Sequence, residues 1–143
     1  MPGRIVRVIP RRYYNFNALA PNEDGGVFLA ERIDVVDYDK VDLLVRIHAL
    51  EIGDENGNGS GRFEVQVLSD GYTCEDPDRT SPPFMAPIGA IIIDVGSEEG
   101  EFKTAQFTGP LGSMLMVSLA YKQDEQASLD LTGEFSIDLV LKH

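Results

Sequence analysis

Asp54-Glu-Asn-Gly-Asn-Gly59 sets oxygen-bearing side chains at alternate positions and closes on glycine, satisfying D-x-[DN]-x-[DN]-G. Hard Ca²⁺ ions are bound by closely spaced carboxylate and amide oxygens, and a glycine permits the sharp turn such loops need. Asp54, Asn56 and Asn58 are the candidate ligands, with Glu51 as an added carboxylate. An EF-hand would require Glu where this chain has Val65; Glu64 stands one place short and, on an alternating strand, points to the wrong face. The flanks also alternate like strands. The segment is therefore not an EF-hand. It is either a looser calcium loop or a polar hairpin connection, for which Asn and Gly are suited. No cofactor is required by the sequence, and calcium is the one it admits.

Other chemistry has little to work with. The two histidines are His48 and the terminal His143, which excludes a His-rich zinc site. A Ser/His/acid set would have to use His48, and no G-x-S-x-G elbow accompanies it. His48 reads as a strand residue on the polar side. No G-x-x-x-x-G-K-[ST] is present, so a Walker-type phosphate site is not supported. The single cysteine, Cys74, lies in Tyr72-Thr-Cys-Glu-Asp-Pro-Asp78, where acidic neighbours disfavour the thiolate. A lone cysteine also rules out an intramolecular disulfide frame. With 24 Asp and Glu, an acid pair must occur somewhere, so no chosen pair points to a glycosidase. The expectation is a chain that is not an enzyme.

Charge layout is more informative. Arg4, Arg7, Arg11 and Arg12 make the first dozen residues +4 with no acid, whereas the remainder carries −16, for a net charge of −12. Such asymmetry concerns what a chain touches rather than how it folds. Residues 1–12 are expected to be a basic N-terminal arm, and 13–143 a single acidic β-sandwich domain. The arm would reach an acidic neighbour or add a strand to its sheet edge. In it Val6 and Val8 would share one face, Ile5 and Ile9 the other, and Pro10 would end the strand, since proline cannot donate to a ladder. Tyr13-Tyr14 follows Arg11-Arg12, and adjacent strand residues face opposite ways. One tyrosine should enter the core while the other is presented outward. Arg4, Arg7, Arg11, Arg12, Tyr13 and Tyr14 are the candidate interface residues, Tyr and Arg being enriched at such surfaces.

The elements that must position these groups follow a period of two. Val41, Leu43, Val45, Ile47 and Ala49 share one face, as do Phe63, Val65 and Val67, and Phe135, Ile137, Leu139 and Leu141. This alternation predicts half-buried antiparallel strands. Further strands are expected at Arg4–Ile9, Tyr13–Leu19, Val27–Val35, Gly89–Val95, Phe102–Phe107, Ser113–Lys122 and Ser128–Leu131. Gly, Pro, Asn and Asp clusters separate them. Eight to ten strands with long, unequal connections predict an all-β antiparallel sandwich of jelly-roll or Greek-key type. The Asp70–Pro83 stretch reads as a binding or contact loop. Leu43, Val45, Ile47, Phe63, Val65, Val67, Leu115, Val117, Leu119, Ile137 and Leu139 are the expected core.

The architecture and charge layout resemble those of single-domain β-sandwich accessory or lattice proteins of phage-like particles, a likeness that rests on no motif. It implies a structural subunit whose partners are its own copies or another assembly subunit. The alternative is a calcium-assisted module binding carbohydrate or protein. The acidic body should repel nucleic acid and membranes, leaving the arm as the one part able to meet a phosphate backbone. The start lacks a long apolar run, so synthesis in a cytoplasm without a signal peptide is expected, with the product free or part of a virion or other particle.

Overall fold

The alternating segments form eight strands in the computed structural model, which describes residues 3–16, 24–53, 61–70, 86–94, 96–108, 111–123 and 130–143. They are β1 (Arg4–Asn15), β2 (Asp24–Asp34), β3 (Lys40–Gly53), β4 (Arg62–Ser69), β5 (Ala86–Ile93), β6 (Phe102–Thr108), β7 (Met114–Lys122) and β8 (Asp130–Lys142). One sheet has the order β1-β8-β3-β6 and the other β2-β7-β4-β5. All pairings are antiparallel. The first strand pairs with the last, the second with the seventh, the third with the sixth and the fourth with the fifth. The chain is thus one long folded ribbon, wound until β3 meets β8 and β4 meets β7. That is a jelly roll, two interlocked Greek keys in two sheets.

Alternation places one face of each strand in the shared interior. Every expected core residue is buried, and Ile9, Val35, Val41, Ile93, Leu111, Leu131, Phe135 and Leu141 join them. At one end of the sandwich Phe16 stacks on Tyr121, and Phe63 meets Phe135 edge-on. On the β5/β6 side the Phe107 ring occupies the space a Cβ at Gly89 would need, so glycine there lets a side chain from one sheet lie against the backbone of the other.

Four expectations need correction. Arg4–Ile9 and the start of Tyr13–Leu19 are one strand. Pro10 does not end it, because β1 is an edge strand and Pro10 falls within the register shift between Ile9 and Arg12, where its missing N–H costs no ladder bond. The boundary drawn at residue 12 is therefore not a break: Arg4–Asn15 pairs with β8 of its own sheet. The first shift also turns both Val8 and Ile9 inward, while Ile5 stays outside. In β3, a shift between Ile47 and Ala49 moves Leu50 and Ile52, rather than Ala49, towards the core. Finally, Asp130 and Leu131, expected in a separate strand with Ser128 and Leu129, belong to the last strand; Ser128 and Leu129 lie outside the described residues. β8 runs through Gly133, whose bare Cα makes room for the Phe135 ring.

Candidate interaction surface

The outer face of the β1-β8-β3-β6 sheet gathers most of the groups singled out above. β8 presents Glu134, Ser136, Asp138 and Val140 outward, opposite its buried Phe135, Ile137 and Leu139. On one side, β1 lays Arg7 on Asp138 and Arg11 on Glu134 as ion pairs. The register makes this possible. Arg7 is directly opposite Asp138, and the shift before Arg12 brings Arg11 round beside Glu134. On the other side β3 contributes Arg46, paired in register with Ser136, and His48, whose Nε2 lies 2.9 Å from Ser136 Oγ. Phe102 of β6 stands beside Arg46 and is 56% exposed. Ile5 and Tyr13 stand out at the β1 edge, 73% and 56% exposed.

Electrostatics follow from this layout. Partial loss of water, then the positive fields of Arg11 and Arg46, lower the His48 pKa, and Glu134 opposes them. His48 is therefore neutral near pH 7. Further along, Lys142 Nζ lies 2.5 Å from Asp42 Oδ2, and Gln106 Nε2 donates to Asp42 Oδ1 at 2.9 Å. The Lys142 hydrogen bond holds the Asp42 carboxyl below its usual value, burial works against it, and Gln106 assists.

His48 beside Ser136 is half of a nucleophile–base pair, but the rest is missing. Among the described residues no carboxylate bonds the other ring nitrogen, and Glu134 is engaged by Arg11. The pair also lies on an open sheet face, not in a cleft. It can tie β3 to β8 but has no built oxyanion site.

The other sheet carries a shallow groove of about 360 Å³ lined by Gly25, Arg62, Glu64, Gln66, Ala120, Tyr121 and Lys122. Its polar groups satisfy one another. Arg62 Nε donates to Glu64 Oε1 at 2.9 Å and Gln66 Nε2 to Glu64 Oε2 at 3.1 Å. Arg62 chiefly holds the Glu64 carboxyl below its ordinary value.

Of the residues read from sequence as interface candidates, Arg7 and Arg11 are paired within their own chain, while Arg4 and Arg12 are exposed at the edge. Tyr13 points out. Tyr14 is half-buried, stacked on Phe16 and Phe135, with its hydroxyl lacking a hydrogen-bond partner among the described residues. The pair divides between outside and inside as alternation requires. Asp54, Asn56, Asn58, Tyr72 and Cys74 lie outside the described residues. Among the described ones, no group of three or more His, Cys, Asp or Glu could hold a metal. No helix there is long and apolar enough to cross a membrane.

Sequence reading missed Arg46, Ser136 and Phe102, which belong to three different strands and meet only through register. It also missed Asp70, assigned to the long loop. Asp70 is buried and accepts from the Ser113 N–H at 2.9 Å, the Ser113 hydroxyl at 2.5 Å and the Met114 N–H at 3.2 Å, anchoring the end of β4 to the start of β7. Comparison with protein-family models gives no match, and neither does comparison with curated proteins.

Proposed function

We propose that this chain is a non-enzymatic structural subunit that self-associates, an accessory or lattice protein of a phage-like or other protein assembly. One observation carries the reading. In a chain of net charge −12, the outer face of one sheet collects Arg7, Arg11, Arg46 and His48 together with exposed Ile5, Tyr13 and Phe102. Arginine and aromatic side chains on a flat, solvent-facing sheet suit contact with another protein. The acidic remainder of a second copy is the complementary surface. Nucleic acid would have to approach through the same arginines, against the repulsion of the body.

Deleting residues 1–12 would remove most of β1, and with it Val8 and Ile9 from the core, so point changes are the proper test. Light scattering across a range of protein and salt concentrations should show oligomers. Ile5→Asp with Tyr13→Asp should reduce them while leaving the circular dichroism unchanged. A wild-type chain that stays monomeric at high concentration would refute the proposal.

A second reading, a calcium-assisted module for carbohydrate or protein, draws support from Glu51. It is exposed near the end of β3, three residues before Asp54, where an added carboxylate would be needed.

A further inference from the structure

Four strand edges bound this sandwich, and three carry features that discourage pairing with another chain. β1 has two register shifts, Pro10 and exposed arginines. β2 has two register shifts, Gly25-Gly26, and Arg32 in a left-handed conformation (φ 58°). β5 has Pro87 and a shift beside it. Bulges, proline and edge charges are the usual means by which sheets avoid edge-to-edge association. β6 has no proline. It pairs with β3 over Phe102–Thr108 without a register shift, and it contains no acid and one charge, Lys103.

Backbone direction in β6 can be read from its first contact. The Ile47 N–H donates to the Glu101 carbonyl at 2.9 Å. By alternation, Val45, Leu43 and Val41 also turn towards β6, bonding Lys103, Ala105 and Phe107. Phe102, Thr104, Gln106 and Thr108 therefore direct their N–H and C=O groups away from β3, along an edge that pairs with no other strand among the described residues. The same four side chains are exposed on the outer face.

From this edge we infer that β6 pairs antiparallel with β6 of a second copy, joining two sandwiches into one continuous eight-stranded sheet. The inference rests on the self-association proposed above and gives it a second contact, separate from the face on β1, β8 and β3. A two-fold axis at Ala105 sets Thr104 opposite Gln106 and Phe102 opposite Thr108, both as hydrogen-bonded pairs. Lys103 then meets Phe107, so no like charges are opposed. Each exposed Phe102 is covered by the partner's strand. Charge permits this edge: two copies of net −12 repel, and β6, like the edges β1 and β5, is an acid-free stretch along which backbones can approach. The surface of arginines and tyrosine on β1, β8 and β3 is continued, not consumed, by the pairing.

The test is Thr104→Pro, which removes one outward N–H at an edge position where proline is tolerated, with Thr104→Lys as a variant that keeps the backbone donor but adds charge. Sedimentation equilibrium of the full chain should show a dimer that strengthens with added salt, because screening removes repulsion between acidic bodies. Thr104→Pro should raise its dissociation constant at least about tenfold, the loss expected for an interfacial backbone bond of about 1.4 kcal/mol. Hydrogen exchange should show the Thr104 and Gln106 amides protected at high protein concentration and exposed at low. A wild type that never associates would overturn this inference and the proposed function together. A wild type that associates, with both Thr104 variants associating equally well and β6 amides exchanging alike at all concentrations, would overturn the β6 contact alone.

Discussion

Strand β1 offers a clean separation between charge and burial. Its arginines pair with β8, yet Arg7 and Arg11 remain 60% and 66% exposed in those pairs. Exposed ion pairs of this kind contribute about 0.2–1 kcal/mol each. Removing both, as Arg7→Gln with Arg11→Gln, should therefore cost no more than roughly 2 kcal/mol. Ile9 is 2% exposed and packs into the shared core. Ile9→Ala loses the transfer free energy of the deleted carbons and leaves a cavity, together about 2–5 kcal/mol. For a domain of this size that corresponds to a melting temperature lower by roughly 5–15 °C. Urea unfolding followed by far-ultraviolet circular dichroism would measure both, and an unchanged m-value would show that the unfolded reference is comparable. If the double arginine variant loses as much stability as Ile9→Ala, or more, β1 is held by its charges, and the account of it as an apolar edge strand is wrong.

Three further outcomes are expected. Acidification should weaken the fold in two stages, all with one sign. His48 has a lowered folded pKa, so below its ordinary value of 6.5 the unfolded chain takes the proton first and stability falls. The carboxyls of Asp42 and Glu64 are also lowered, so their contribution is complete above their ordinary values of 3.8 and 4.5 and is lost as pH drops through the folded ones. Melting curves of His48→Gln should lack the upper stage, and a wild type equally stable at pH 7 and pH 5 would contradict this. Gly89→Ala places a methyl against the Phe107 ring and should cost about 1–3 kcal/mol as an overpacking defect, partly relieved by Phe107→Leu in a double-mutant cycle. For the calcium reading, millimolar Ca²⁺ should raise the melting temperature and Asp54→Ala should abolish the rise; an unchanged wild-type melting temperature would leave a plain connection.

The sequence determined by itself that this is an antiparallel β-sandwich, because a period of two is a local property. Phe63, Val65 and Val67 alternate with Arg62, Glu64 and Gln66, and such a strand can bury one face in one way only. It also determined the core residues and the split of Tyr13 from Tyr14. Tertiary structure decided the rest, because register is not local. Two shifts in β1 turned Val8 and Ile9 inward together and carried the chain past Pro10, making a presumed arm into an edge strand. A shift in β3 exchanged Ala49 for Leu50 at the core. Gly133 lies inside β8, where the Phe135 ring takes the space of its missing Cβ. His48 and Ser136 are 88 residues apart in sequence and 2.9 Å apart in space. Their meeting, like the place of β6 at the end of its sheet, depends on which strands the winding of the jelly roll placed side by side, and no single strand contains that information.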